Sequence, residues 1–175
     1  NVYTTGWFEE TVDFDPGAGV FNLTSMGNDD AFISKLDVNG DFVWAKSIGS
    51  NGADVGYAIK SDNNGNVIVA GEFRRTVNFD PGVSDFTLST ENETIDVFVW
   101  KLTANGDFVW VKSFGGTGNE RCNGLAVDNQ GNALVIGTFT STVDFDPNAV
   151  TDLPKGFIKL MHSHMNQTEN WPISF

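Results

Sequence analysis

Apolar residues in this chain fall in short blocks bounded by Gly, Asn and Asp, with no 3.6-residue period, a pattern that predicts strands throughout and no helix. Tyr57 to Ser61 and Val67 to Phe73 flank Asp62-Asn-Asn-Gly-Asn66, and Val97 to Thr103 and Phe108 to Phe114 flank Ala104-Asn-Gly-Asp107. Asn-Gly between two such blocks signals a hairpin, with positive φ expected at both turn positions. Val67-Ile-Val-Ala70, Val97-Phe-Val-Trp100 and Ala133-Leu-Val-Ile136 are apolar on both faces instead of alternating, so each sheet is expected to be covered on both sides.

The blocks recur. Asn39-Gly-Asp-Phe-Val-Trp-Ala-Lys-Ser-Ile48 returns 66 residues later as Asn105-Gly-Asp-Phe-Val-Trp-Val-Lys-Ser-Phe114, with eight of ten positions identical. Thr11-Val-Asp-Phe-Asp-Pro-Gly17 returns as Thr76-Val-Asn-Phe-Asp-Pro-Gly82 and as Thr142-Val-Asp-Phe-Asp-Pro-Asn148. Each unit offers four antiparallel strands, and repeated four-stranded sheets with both faces covered describe β-propeller blades. The 66-residue period exceeds the usual blade of ~40 to 50 residues. Thr76 to Ile95, between the second and third strands, accounts for the surplus and is expected to form an elaborated loop or small hairpin. The fold class is therefore all-β, with propeller-type blades in an incomplete ring, since 175 residues hold about 2.7 units and rings close with ~4 to 8. The units divide as a partial repeat over 1–65 that opens mid-blade, a repeat over 66–131 and a partial, degenerate repeat over 132–175. Such an open stack is expected to associate unless further units cap its ends.

Asp30-Ala-Phe-Ile-Ser-Lys-Leu36, Asn39-Gly-Asp-Phe-Val-Trp44, Gly56-Tyr-Ala-Ile59 and Gly65-Asn-Val-Ile-Val-Ala-Gly71 together resemble the SBBP-type β-propeller repeat of bacterial secreted and cell-surface proteins. With its Thr-Val-Asp-Phe-Asp-Pro-Gly segment, the unit is similar to long repeat proteins exported by Bacteroidetes and similar bacteria. The resemblance runs to about Thr151 and implies an extracellular or surface-attached module. It supplies no catalytic residues.

Charge narrows the partners. Ten Lys and Arg against 23 Asp and Glu give a net charge of −13, the wrong sign for nucleic acid or anionic lipid. No apolar run approaches the ~20 residues of a membrane span, and the first residues do not show the basic-then-apolar pattern of a signal peptide. The partners expected are further repeats of the parent protein and a surface protein or glycan. A lone cysteine, Cys122, forms no intrachain disulfide and has no positioned base to make it a nucleophile.

Two sets of residues carry candidate chemistry. Asp13/Asp15, Asn78/Asp80 and Asp144/Asp146 place two oxygen donors on one face of each copy, the kind of donor set Ca²⁺ takes. The same residues also read as turn chemistry, with Asp bonding the backbone, Pro presetting φ and Gly supplying positive φ. Structural Ca²⁺ is the only cofactor these residues suggest. Trp7 and Trp100 have the polar counterparts Glu72 and Ser34 in sibling copies, which predicts exposed indoles able to stack on a sugar or a partner. Trp44, Trp110 and Trp171 recur at comparable places and read as core. The sequence thus predicts a non-catalytic secreted or surface scaffold, with a carbohydrate-binding module, or a non-catalytic part of a larger extracellular enzyme, as the alternatives.

Overall fold

The computed structural model describes residues 1–81, 84–140, 142–143 and the backbone of 157–163. In chain order its strands are β1 (Val2–Phe8), β2 (Thr11–Asp13), β3 (Asn22–Thr24), β4 (Asp30–Leu36), β5 (Phe42–Ile48), β6 (Val55–Ser61) and β7 (Val67–Arg74). These are followed by β8 (Thr76–Asn78), β9 (Thr87–Ser89), β10 (Ile95–Leu102), β11 (Phe108–Phe114), β12 (Arg121–Val127), β13 (Ala133–Phe139) and β14 (Phe157–Ser163). There is no helix among the described residues, and so none able to cross a membrane.

Three principal sheets stack in chain order. Sheet I is β1-β4-β5; sheet II is the four-stranded antiparallel meander β6-β7-β10-β11; sheet III is β12-β13-β14. No ring is closed. One departure from the expected meander occurs in sheet III, where β14 runs parallel to β13. The surplus segment is a small hairpin in both described copies, β2-β3 after β1 and β8-β9 after β7, each with its strands in the same register. Strand irregularities recur too. Shifts at Lys35/Leu36 and Lys101/Leu102, and at Gly56/Ala58 and Cys122/Gly124, lie 66 residues apart, so the bulges belong to the repeat.

The hairpin turns differ from the two-residue turn expected at Asn-Gly. Only Gly40, Gly65, Gly106 and Gly131 have positive φ; the preceding Asn or Gln does not. Asp62 N–H donates to the Asn66 carbonyl and Gly65 N–H to the Asp62 carbonyl, a type I turn closed by a left-handed glycine, and the other three turns match it. The reason is the first side chain of each turn. Asp62 Oδ1 accepts the N–H groups of Asn64 and Asn66, both at 2.9 Å, and Asp37, Thr103 and Asp128 do the same in their turns. That side chain selects the three-residue loop.

Two apolar seams hold the stack. Between sheets I and II, Ala31, Ile33 and Ile48 meet Val67, Val69, Phe98, Trp100 and Leu102. Between II and III, Ile68, Ala70, Val97, Val99 and Phe114 meet Cys122, Ala133 and Val135. Thus β7 and β10 are buried on both faces, as their unbroken apolar runs require. The β8-β9 hairpin delivers Phe79 into the first seam, where its ring lies 5.6 Å from Phe73, 5.3 Å from Phe98 and 6.1 Å from Trp100. Phe8, Phe14 and Phe32 form the matching trio on the outer face of sheet I.

Candidate functional site

The recurring carboxylate pairs sit at the tips of the inserted hairpins. Asp13 Oδ1 accepts the backbone N–H groups of Asp15 at 3.0 Å and Phe21 at 2.8 Å, tying both sides of the hairpin together. The N–H groups of Phe21 and Asp15 hold its carboxyl below the usual Asp range. Asp15 Oδ1 accepts Gly17 N–H at 2.8 Å, the expected Asx turn. Gly17 does not take the expected positive φ; its missing Cβ instead leaves room for Asp15 Oδ1, which would lie 3.1 Å from it. In the second copy Asn78 Oδ1 accepts Asp80 N–H at 3.0 Å, and Asn78 Nδ2 donates to Asp85 Oδ1 at 2.8 Å. Asp80 is buried. Among the described residues no three His, Cys, Asp or Glu side chains converge as a metal site. Asp144 and Asp146 lie outside the described residues.

The two tryptophans part company. Trp7 is 53% exposed, as expected, although its counterpart Glu72 is itself buried. Trp100 is not exposed, contrary to expectation: it is 2% accessible, inside the first seam and edge-on to Phe79. Its counterpart Ser34 is buried as well, so a polar sibling did not mark a surface position. Trp100 therefore offers no face to a ligand. Trp44 packs against the first seam and donates Nε1–H to the Ala104 carbonyl at 3.2 Å; Trp110 packs against the second. Trp171 lies outside the described residues. Burial pushes the Cys122 thiol up to about 11, which leaves it protonated at neutral pH.

A feature that sequence reasoning missed lies where each sheet hands the chain to the next. Asp30 at the start of β4 and Asp54 just before β6 are both buried, and 66 residues on so are Asp96 and Glu120. Asp54 Oδ2 accepts the Ser50 N–H at 2.7 Å and hydroxyl at 2.9 Å, and its Oδ1 accepts Arg74 N–H at 2.9 Å. Asp30 Oδ2 accepts Met26 N–H at 3.0 Å, while its Oδ1 is buried without a partner. Both carboxylate oxygens of Glu120 are likewise buried without a hydrogen-bond partner. Burial, with the nearby Asp30 charge adding to it, raises Asp54 to about 6; burial and the Glu120 charge raise Asp96 to about 7. Gly49 and Gly115 are required beside them, because a Cβ at either would collide with the carboxyl of Asp30 or Asp96. The recurrence of acid, glycine and acid at one offset was the available signal.

Beside the first acid pair a groove of about 630 Å³ opens between the loops before β4 and after β5 on one side and the β8-β9 hairpin on the other. Met26, Asn51, Arg75, Thr90, Asn92 and Glu93 line it, and a second hollow of about 320 Å³ shares Asn51, Arg75 and Glu93 and adds Arg74. Arg75 Nη2 pairs with Glu93 Oε2 at 3.1 Å. Arg75, Asn92 and Glu93 all hold positive φ, at 61°, 47° and 60°, the strained backbone that gathers at recognition loops.

No family model matches the chain. Over 121 residues, 67% of its length, it is 30% identical to an uncharacterized WD repeat-containing protein of Acanthamoeba polyphaga mimivirus. The match spans only 9% of that relative's length. By its name the relative is a repeat protein.

Proposed function

We propose that this chain is a non-catalytic, β-propeller-like repeat scaffold that presents loops to a protein partner. The observation that carries the reading is the contrast between a constant frame and variable loop chemistry. Turn-forming side chains, Phe trio, seam acids and bulges recur at offsets of 65 or 66 residues, whereas Arg74, in the adjoining hollow, and Arg75, in the groove, have Glu9 and Glu10 as counterparts in the first copy and Thr140 and Ser141 in the third. Repeated frames with divergent loops are how repeat proteins build distinct binding surfaces. Similarity to a WD repeat-containing protein supports the same reading. The resemblance to exported bacterial repeats supports a place at the cell surface, which protease shaving of intact cells would check.

A display selection tests the binding role. Peptides or small domains selected on the chain should include binders that lose at least tenfold in affinity on an Arg75→Glu, Glu93→Lys variant. Recovery of no binder, or only of binders indifferent to that variant, would remove the groove as the presenting surface.

A further inference from the structure

The second of the two seam acid pairs lacks the donors that satisfy the first. In the first, the N–H and hydroxyl of Ser50 and the N–H of Arg74 bond both oxygens of Asp54. Sixty-six residues on, Glu120 replaces Asp54, Gly116 replaces Ser50 and Thr140 replaces Arg74. The hydroxyl is thereby lost. The extra methylene of Glu120 also takes its carboxylate out of bonding geometry with the N–H groups of Gly116 and Thr140, which lie near enough only to ease its charge. Glu120 is 0% exposed, and neither Oε1 nor Oε2 has a hydrogen-bond partner. Its N–H donates to the Ile95 carbonyl at 2.8 Å, which anchors it beside Asp96. The charges that act on Asp96 are those of Glu120 and Glu91, both negative.

Further oxygens join the two acids. Thr94 Oγ1 lies 2.6 Å from the Glu91 carbonyl oxygen, 3.4 Å from Asp96 Oδ1 and 3.3 Å from the Gly116 carbonyl oxygen. A hydroxyl has one proton, and the shortest contact takes it. Thr94 Oγ1, Asp96 Oδ1 and the Gly116 carbonyl therefore face one another with no hydrogen between them. Oxygens gathered in this way, with two carboxylates taken out of water, are the surroundings of a bound cation. We propose that Thr94, Asp96, Gly116 and Glu120 hold a Ca²⁺ ion where sheet II hands the chain to sheet III. Neighbouring oxygens at ~2.4 Å from Ca²⁺ stand about 3.4 Å apart at right angles, which is the spacing from Thr94 to Asp96 and to Gly116. All four donors are hard oxygens, the wrong set for Zn²⁺, and Mg²⁺ would demand a tighter octahedron while keeping its waters. Two carboxylates balance the charge of Ca²⁺, and its shell of ~6 to 8 oxygens accepts carbonyl, hydroxyl and water, so no third acid is needed. The ion would lock the β11-β12 link against the start of β10, making the second seam calcium-dependent while the first is satisfied by its own donors. In chelator, protons take the ion's place. This site is separate from the inserted-hairpin carboxylates and from the groove, and stands or falls apart from the binding role proposed above.

Calorimetric titration of the chelator-treated chain with calcium chloride near neutral pH, together with melts in calcium and in chelator, provides the test. The unmodified chain should bind calcium, and at ~100 times Kd its melting temperature should rise by about 5 °C or more. Glu120→Gln keeps the size of the side chain and removes a buried charge, so it should fold by circular dichroism yet lose the bound ion and the thermal shift. Asp96→Asn and Thr94→Val should each weaken binding at least tenfold, and they carry the test if Glu120→Gln does not fold. Asp54→Asn, at the satisfied pair, and Asp13→Ala, on the inserted hairpin, should leave the affinity within about twofold. Calcium binding that survives both Glu120→Gln and Asp96→Asn, or that is lost with Asp13→Ala alone, would overturn the assignment. So would an unmodified chain that takes up no calcium; a higher melting temperature for Glu120→Gln would then mark a pair that shares a proton instead.

Discussion

Lowering the pH from 8 to 5 is expected to stabilise this protein, the reverse of ordinary acid behaviour. Asp54 has a folded-state value of about 6 against 3.8 when unfolded, and Asp96 about 7. Both side chains belong to buried residues. Between pH 4 and 7 the folded state holds protons that the unfolded chain has released, so unfolding sheds protons and stability falls as pH rises through that window. At ~1.36 kcal/mol per unit, Asp54 loses about 3 kcal/mol of stability and Asp96 at most about 4 between pH 4 and pH 8. Below pH 4 the sign turns over, because Asp13, Asp37, Asp62 and Asp128 are held below their ordinary values and lose their bonds to backbone N–H groups as they protonate. Maximum stability is therefore expected near pH 5. Urea midpoints at pH 5, 6, 7 and 8 and fixed ionic strength would show it: with a slope of ~2 kcal/mol/M, the midpoint should fall by more than ~1 M across the series. Relief of repulsion in a chain of charge −13 acts in the same direction, so Asp54→Asn with Asp96→Asn is the control. Its dependence on pH should flatten by more than half, whatever its absolute stability. Stability that is level or rising from pH 5 to 8, or an equally steep double variant, would refute the buried-acid reasoning.

Other outcomes follow from the same contacts. Phe79→Ala should destabilise by ~3–5 kcal/mol and Phe14→Ala by clearly less, since the first ring is fully buried in a seam and its counterpart is not; urea unfolding compares them. Gly115→Ala should destabilise at least as strongly as a core truncation, and addition of Asp96→Ala should recover part of the loss, a coupling read from the double-mutant cycle. Asp13→Ala should destabilise modestly through lost hydrogen bonds, with the same shift in melting temperature between chelator and calcium as the unmodified chain; a calcium-dependent rise in the unmodified chain that this variant abolishes would make Asp13 a ligand instead. On a glycan array, any saccharide retained through indole stacking should be lost with Trp7→Ala and kept with Trp100→Phe, because only the first ring is accessible.

Much of the frame was legible because the repeat compares the chain with itself. The 66-residue offset placed the strands, the four hairpins and the inserted segment, and unbroken apolar runs announced sheets covered on both sides. Comparison of copies failed where one unit uses a polar residue inside: Ser34 beside Trp100 looked like a surface position, yet both sit in buried strands. The turn type was misread because Asn-Gly was weighed without the Asp or Thr two residues earlier, whose oxygen selects the longer loop. Asp30 and Asp54 each look like ordinary loop acids; only the stacking of one sheet on the next takes both out of water.

The shared geometry of the four turns has a consequence for how the molecule is made. Each turn is closed by bonds spanning no more than four residues, so a hairpin gains its shape before any distant partner arrives. Contacts of short sequence separation form fast, and the slow part of folding is left to the seams, where preformed hairpins must meet face to face. A gene built this way can gain or lose a whole 66-residue period, and the remaining hairpins keep every bond that shapes them.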